Sequence, residues 1–317
     1  MNLKLFYLLA GLVLGAGLVY VGLNRRPREV MPDISEPRAV PSSSAAIDFK
    51  LQITTSFYPL YYFTKTIVGD DAAVYNLTPA GAEPHDYEPT PQDIVRLHNS
   101  RIVIVNGVVE PWVGKVRDEL IAKDIVLIQA SDGLMSHQMT DENNHAVSDP
   151  HIWLSPRVAQ QVIERIERAV VAADPAHAGG YHLRAESLKQ GLVELDTQFK
   201  QGLQGCKQNQ FITAHSAFGY LAAEYGLTQI GIAGLSPEAE PSPQALGEIT
   251  RFAKQYEIKY IFFESLINPR LANTLAQEVG AQTLVLNPLE GLTPEEVSKG
   301  KDYFTEMQSN LTNLRLA

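Results

Sequence analysis

Residues 155–204 read SPRVAQQVIERIERAVVAADPAHAGGYHLRAESLKQGLVELDTQFKQGLQ. Apolar residues recur at helical spacing over Ser155–Ala173 and again over His177–Gln204, with no short β-branched run between them. Gly179-Gly180 is a local weakness that allows a start of the second helix as late as Tyr181. On both sides the pattern changes to short apolar runs followed by turn residues. Before the stretch these runs are Leu51–Phe57, Ala73–Leu77, Ile102–Asn106 and Ile125–Gln129. After it they are Phe211–Ala214, Gln229–Ile232, Tyr260–Phe263 and Thr283–Leu286. Four strands, a helical spacer and four strands predict an α/β protein of two similar lobes joined by a long helix.

Amphipathic stretches separate the strands, among them Thr90–Asn99, Pro111–Ala122, Ser242–Tyr256 and Asn268–Val279. Thr90 before Pro91, Ser242 before Pro243 and Thr293 before Pro294 are helix starts, with a hydroxyl at the cap and proline in the first turn. Strands alternating with helices imply mostly parallel four-stranded sheets covered on both faces. The expected division is residues 49–176 as N-terminal lobe, 177–205 as linking helix and 206–317 as C-terminal lobe. No sequence repeat relates the two lobes.

Upstream, residues 5–23 are 19 uncharged, mostly apolar residues between Lys4 and a basic run at Arg25, Arg26 and Arg28. About 20 helical residues span a bilayer core. No small-residue cleavage site directly follows, so residues 1–24 read as an uncleaved membrane anchor, with a long cleaved signal peptide as the alternative. Residues 25–48, with four prolines and Ser42–Ser44, read as an extended tether. The remaining chain is therefore expected to work on the extracytoplasmic side of a membrane.

The 317 residues hold 26 Lys plus Arg against 36 Asp plus Glu, a net charge of −10 that argues against nucleic acid as partner. Residues 49–317 carry 21 basic and 32 acidic residues, which also disfavours anionic lipid surfaces. A single cysteine, Cys206, excludes an internal disulfide framework and Cys-rich zinc modules. Its place after the spacer helix predicts a buried or half-buried free thiol behind the ligand-binding edge of the sheet.

The residues with chemistry to offer stand where apolar runs finish, which is where open α/β sheets bind ligands. His85 follows the second strand, His151 the fourth, His215 the fifth and Glu290 the eighth. Two come from each lobe, so they can meet only in the cleft between lobes. Three imidazoles and a carboxylate suit Zn²⁺ in a closed tetrahedral shell. Spacing alone is a weak signal, because intervals of 66, 64 and 75 residues separate the four.

Five strings sharpen the reading. Glu83-Pro84-His85-Asp86-Tyr87-Glu88-Pro89-Thr90, Asp149-Pro150-His151-Ile152-Trp153-Leu154-Ser155-Pro156 and Thr213-Ala214-His215-Ser216-Ala217-Phe218-Gly219-Tyr220 come first. Gly234 to Pro243 (GLSPEAEPSP) and Leu286 to Thr293 (LNPLEGLT) follow in order. Together they resemble the metal-site segments of the periplasmic zinc-binding proteins of ABC importers, cluster A-I. The resemblance spans roughly residues 51–317. It implies two (β/α)4 lobes bridged by one long rigid helix, with metal in the inter-lobe cleft. Carried over by position, it implies His85, His151 and His215 as ligands. Glu290 matches the fourth ligand of those zinc members that have one; in others water takes the place. Glu264, at the end of the seventh strand, is the competing carboxylate, but the role favoured for it is behind the ligands, accepting an N–H from a ligating imidazole or holding a loop. Manganese-selective relatives tend to carry Glu where His215 stands, so imidazole there favours zinc.

Other residues are weighed and mostly set aside. Resembling proteins often have a His- and acid-rich loop where Ser131–Ser148 lies; here it holds His137, Asp141, Glu142 and His145, read as a solvated loop with auxiliary zinc binding as the alternative. His98, His177 and His182 read as surface helix positions without partners at ligand spacing. Asp86 and Tyr87 are candidates for orienting the His85 loop. The resemblance implies a monomeric receptor, not an enzyme, that captures Zn²⁺ and hands it to an ABC permease and its ATPase. A manganese receptor of the same architecture and a zinc hydrolase are the alternatives; the hydrolase would need Glu264 as general base, and no compact hydrolase motif is present.

Overall fold

The computed structural model describes residues 50–140 and 146–317. The expected anchor at 5–23 and tether at 25–48 lie outside the described residues, as do Asp141, Glu142 and His145. No helix among the described residues is long and apolar enough to cross a membrane.

The chain from Asp48 to Ala317 forms one compact unit. Its first half runs β1 (Leu51–Thr55), α1 (Tyr58–Val68), β2 (Ala72–Asn76), α2 (Pro91–Asn99), β3 (Ile102–Val105), α3 (Val113–Ala122) and β4 (Val126–Gln129). A short antiparallel hairpin, β5 (Gln138–Thr140) and β6 (Ala146–Ser148), follows where only a loop is expected from sequence. Then come α4 (Pro156–Ala173) and the 26-residue α5 (Ala178–Leu203). The second half runs β7 (Gln210–Thr213), α6 (Gly219–Tyr225), β8 (Thr228–Gly231), α7 (Pro243–Gln255), β9 (Tyr260–Phe263), α8 (Arg270–Val279) and β10 (Gln282–Val285). It ends with α9 (Pro294–Ser298) and α10 (Tyr303–Leu316).

All eight strands expected from the apolar runs are present, within one or two residues of their expected bounds. The first sheet has the order β2-β1-β3-β4 and the second β10-β9-β7-β8, with every neighbouring pair parallel. Counted from its own first strand, each half has the same 2-1-3-4 order. Sequence similarity is absent between the halves, but the connection rule is shared.

Each sheet is buried on both faces, and the strand period of two assigns the faces. In β3, Ile102 and Ile104 enter the central core while Val103 and Val105 pack with Leu97, Trp112 and Leu120 on the far side. In β7, Phe211 joins the central core and Ile212 packs outward with Ile249 and Leu275. The central core is continuous across both halves, from Ile53 and Phe63 through Trp153 and Leu192 to Phe262 and Tyr303.

Helix α5 runs through that core. Tyr181, Ala185, Leu188, Leu192, Leu195, Phe199 and Leu203 form its buried stripe, at the 3- and 4-residue steps of a helix face. It packs on α1 and α4 at one end and on α6 and α10 at the other. At about 1.5 Å per residue it spans roughly 39 Å, long enough to reach both sheets. Gly179 and Gly180 lie inside the helix, not before it. Gly191 and Gly202 have a role that sequence did not show: a Cβ there would stand 2.9 Å from Phe304 and from Leu311 of α10. A larger residue at either position would have to displace the tip of one of these side chains. Cys206 is an exposed free thiol, contrary to the buried or half-buried expectation, because it lies past the end of α5 where no element covers it.

Candidate metal centre

His85, His151, His215 and Glu290 converge, their potential ligand atoms all within 4.8 Å of one another. Each comes from a loop at the carboxyl end of a sheet, and each loop is tied down by a different device.

His85 lies in the long β2–α2 loop. Its backbone N–H donates to Glu83 Oε1 at 3.2 Å. Gly81 N donates to Leu292 O at 2.9 Å, which joins this loop to the one carrying Glu290. Tyr87 does not reach His85; its hydroxyl donates to Asp93 Oδ2 at 2.7 Å, within the capping box that starts α2. Asp86 is exposed.

His151 precedes a 3-10 turn, Ile152–Leu154, that feeds α4 through the Ser155 cap. Asp149 Oδ1 accepts both the backbone N–H of His151, at 2.9 Å, and the ring Nδ1, at 2.7 Å. Asn106, just past β3, donates to Pro150 O at 3.0 Å.

His215 follows β7 directly. Glu264, at the end of β9, accepts its backbone N–H at 3.1 Å and its ring Nδ1 at 2.7 Å. Glu264 is therefore turned to the back of the imidazole and is absent from the convergent group. The carboxylates of Asp149 and Glu264 fix the Nδ1–H tautomer in both rings and leave Nε2 facing the centre. Asp149 was not singled out from sequence. The available signal was an acid-Pro-His triplet that occurs twice, at 83–85 and 149–151.

Glu290 is aimed by Leu289, a fully buried residue in the left-handed region at φ +56. That conformation costs a non-glycine residue about 1–2 kcal/mol. Asn287 stabilises it: its side chain accepts the Leu289 N–H at 2.8 Å, while its own backbone exchanges hydrogen bonds with the Asn310 amide of α10 at 2.8 and 2.6 Å.

The distances fit one small cation. Glu290 Oε1 lies 3.1 Å from His85 Nε2, 3.1 Å from His151 Nε2 and 3.4 Å from His215 Nε2. His151 Nε2 and His215 Nε2 are 3.4 Å apart. A tetrahedron with metal–ligand bonds of about 2.0–2.1 Å has edges of about 3.3–3.4 Å. His151, His215 and Glu290 are buried, and the His85 side chain is 10% exposed. Glu290 Oε2 is buried without a hydrogen-bond partner, as befits an acceptor set that a cation completes.

Electrostatics agree with a shared positive charge at this point. Burial would raise the Glu290 carboxyl, but the imidazoles of His215 and His85 outweigh it and hold it well below its usual range. Burial would lower His215, but Glu264 and Glu290 outweigh it and hold it well above. His151 is raised against burial by Asp149 and Glu290. Nearby Glu83 is pushed up to about 9 by burial and then by Glu290.

The remaining candidates fall elsewhere. His137 lies outside the group; its ring faces Tyr220 at 5.8 Å, and the Tyr220 hydroxyl accepts from the backbone of Ser136 and His137 and donates to Asp149 O. A Cβ on Gly219 would stand 2.5 Å from Asp149 Oδ2 and 2.7 Å from His137, so glycine is required where α6 meets this pair. His98 pairs with Glu119 at 3.1 Å. His182 is not without partners at ligand spacing, because Glu167 and Glu186 surround it, although Lys189 already occupies Glu186 at 2.5 Å.

The sequence model of one family, zinc-uptake complex component A, periplasmic, matches residues 53–317. The chain belongs to this family. It is similar to the high-affinity zinc uptake system protein ZnuA of Bacillus subtilis, 40% identical over 278 residues that cover 84% of this chain and 87% of the relative. It also resembles the zinc-binding protein AdcA of Streptococcus pyogenes, 38% identical over 287 residues, covering 84% of this chain and 56% of the relative. The chain thus spans about half the length of the AdcA relatives it matches. Among solved structures, the Zn(II)-bound ZnuA-like domain of Streptococcus pneumoniae AdcA superposes with a TM-score of 0.72 at 40% identity, covering 84% of this chain and 98% of that one.

Proposed function

We propose that this protein is an extracytoplasmic zinc receptor that binds one Zn²⁺ through His85, His151, His215 and Glu290 and passes it to an ABC permease. The observation that carries the reading is the convergence of three imidazole Nε2 atoms and Glu290 Oε1, with every Nε2–Oε1 distance at 3.1–3.4 Å, close to the edge length of a tetrahedral zinc shell. The names of the relatives, which describe zinc binding and zinc uptake, support it. Four protein ligands would complete the shell and leave no position for an activated water, so the same geometry speaks against hydrolysis. Three imidazoles and one carboxylate form a softer set than manganese favours.

Binding is ligand exchange. His151 and His215, whose ring pKa values are raised, must bind the ion in their deprotonated form, and Glu290 neutralises one of its two charges. Asp149 and Glu264 keep the rings oriented throughout. Residues 49–176 and 206–317 act as lobes on α5, whose burial in a core shared by both halves favours loop adjustments over a wide hinge. The apolar run at 5–23 would tether the receptor beside its permease, and it is expected to act as a monomer.

Zinc titration against a competing chelator tests the reading. The native protein should bind one equivalent tightly, and His215→Ala should lose affinity by about two orders of magnitude or more with the fold intact. An unchanged titration for His215→Ala, or preferential recovery of manganese from mixed-metal medium, would overturn it.

A further inference from the structure

The three imidazoles share one arrangement with one exception. The backbone N–H of each is accepted by the carboxyl oxygen of an acidic side chain: Glu83 for His85 at 3.2 Å, Asp149 for His151 at 2.9 Å and Glu264 for His215 at 3.1 Å. For His151 and His215 the same carboxylate also takes the ring Nδ1, at 2.7 Å in both. For His85 it does not. Among the described residues the His85 ring has one hydrogen-bond partner, Glu290, at Nε2. His85 is also the only one of the three with any side-chain exposure, 10% against 0% for the others.

An imidazole held from behind by a carboxylate stays in register when its Nε2 partner leaves. An imidazole without that support has no hydrogen bond at Nδ1 to fix its ring, and its position then depends more on its backbone. At His85 the backbone anchor is Glu83. The remaining oxygen of Glu83, Oε2, is buried and has no hydrogen-bond partner, an arrangement that costs fold stability. Resting on the zinc-receptor reading above, we propose that Glu83 is a positioning residue that holds His85 through its backbone N–H and so sets how fast the bound ion leaves by the His85 side. His151 and His215 stay fixed while His85 detaches first.

The test uses the full chain loaded with zinc and mixed rapidly with excess chelator. Glu83→Met removes the acceptor while keeping the volume, and Glu83→Gln keeps an oxygen in the accepting place. Release from Glu83→Met should be about 10-fold faster or more, by analogy with the loss of other groups that orient ligands. Glu83→Gln should stay close to native. Metal-free Glu83→Met should melt close to native, since the loss of the buried unpartnered Oε2 offsets the His85 N–H left without its acceptor. Native release kinetics in Glu83→Met would overturn the proposal, and so would Glu83→Gln releasing as fast as Glu83→Met, because the accepting oxygen would then not be what holds His85. If Glu83→Met folds poorly, Glu83→Ala serves as the acceptor-free variant with the same expected and overturning results. Failure of the native protein to load zinc would instead strike the receptor reading.

Discussion

The indole Nε1–H of Trp153 donates to the carbonyl of Pro288 across 2.7 Å. Trp153 stands two residues after His151 and Pro288 two residues before Glu290, so one hydrogen bond locks together two loops that carry proposed ligands. Tyr303 of α10 adds to the lock by donating to Trp153 O at 2.6 Å, and Phe57 packs edge-on against the indole at 4.9 Å.

Trp153→Phe should therefore affect both stability and binding. It leaves Pro288 O buried without its donor, at a cost of about 1–3 kcal/mol. The melting temperature should fall by several degrees, and zinc affinity should drop with it as the His151 and Glu290 loops lose their shared anchor. Thermal melts with and without zinc check both effects; a normal zinc-induced rise in the variant would show that the loops are held independently.

Glu264→Gln keeps the shape of the group behind His215 but removes its charge. Affinity should fall by about 10–100-fold, as when other carboxylates behind ligating histidines are altered, while the metal-free fold persists. Chelator competition measures it. Affinity within a factor of two of native would remove Glu264 from the site.

Proton competition sets the pH dependence. Burial works against it, but Glu264 and Glu290 raise His215 well above its ordinary 6.5, and Asp149 and Glu290 raise His151. In the metal-free fold these protonated imidazoles add stability below about pH 6.5, and that contribution is lost as pH rises through their raised values. Zinc requires the opposite, deprotonated state. The zinc-induced rise in melting temperature should accordingly grow from pH 6 to pH 8, and calorimetry in buffers of different ionisation enthalpy should register proton release. A pH-independent rise would contradict a histidine site.

Asn310→Ala removes both hydrogen bonds that clamp Asn287 and exposes the cost of the left-handed Leu289. A destabilisation of about 1–3 kcal/mol is expected by denaturant unfolding, with weaker zinc binding because Glu290 loses its aim. Full affinity in a destabilised Asn310→Ala would separate the clamp from the site.

Much of the fold was legible along the chain. The β-branched run at Ile102–Val105, the aromatic run at Tyr260–Phe263 and the capped stretch opening at Thr90-Pro91 are local signals whose short-range physics survives in the folded state. Helix α10 and the β5–β6 hairpin were not anticipated. The first is helical chiefly because Tyr303, Met307 and Leu311 find the central core, and the second is a three-residue pairing stabilised by Tyr220 from another element. The cap of α10 at Asp302 and its apolar spacing are in the sequence and were overlooked, whereas the hairpin has no comparable local signal.

At the site the division follows the same principle. Residue type and position at strand ends drew attention to His85, His151, His215 and Glu290, because imidazole and carboxylate chemistry belongs to the side chain itself, but it took the resemblance of five motif strings to nominate them as one ligand set. The role of Glu264 behind an imidazole was expected from its strand-end position, but its pairing with His215, the roles of Glu83 and Asp149, the bolt from Trp153 to Pro288 and the strained turn at Leu289 were decided only by tertiary contact. Hydrogen bonds depend on ångström-scale geometry between segments as far apart as the 135 residues separating Trp153 from Pro288. Composition and periodicity report which groups are present and which face they take, but only packing brings a given donor to a given acceptor.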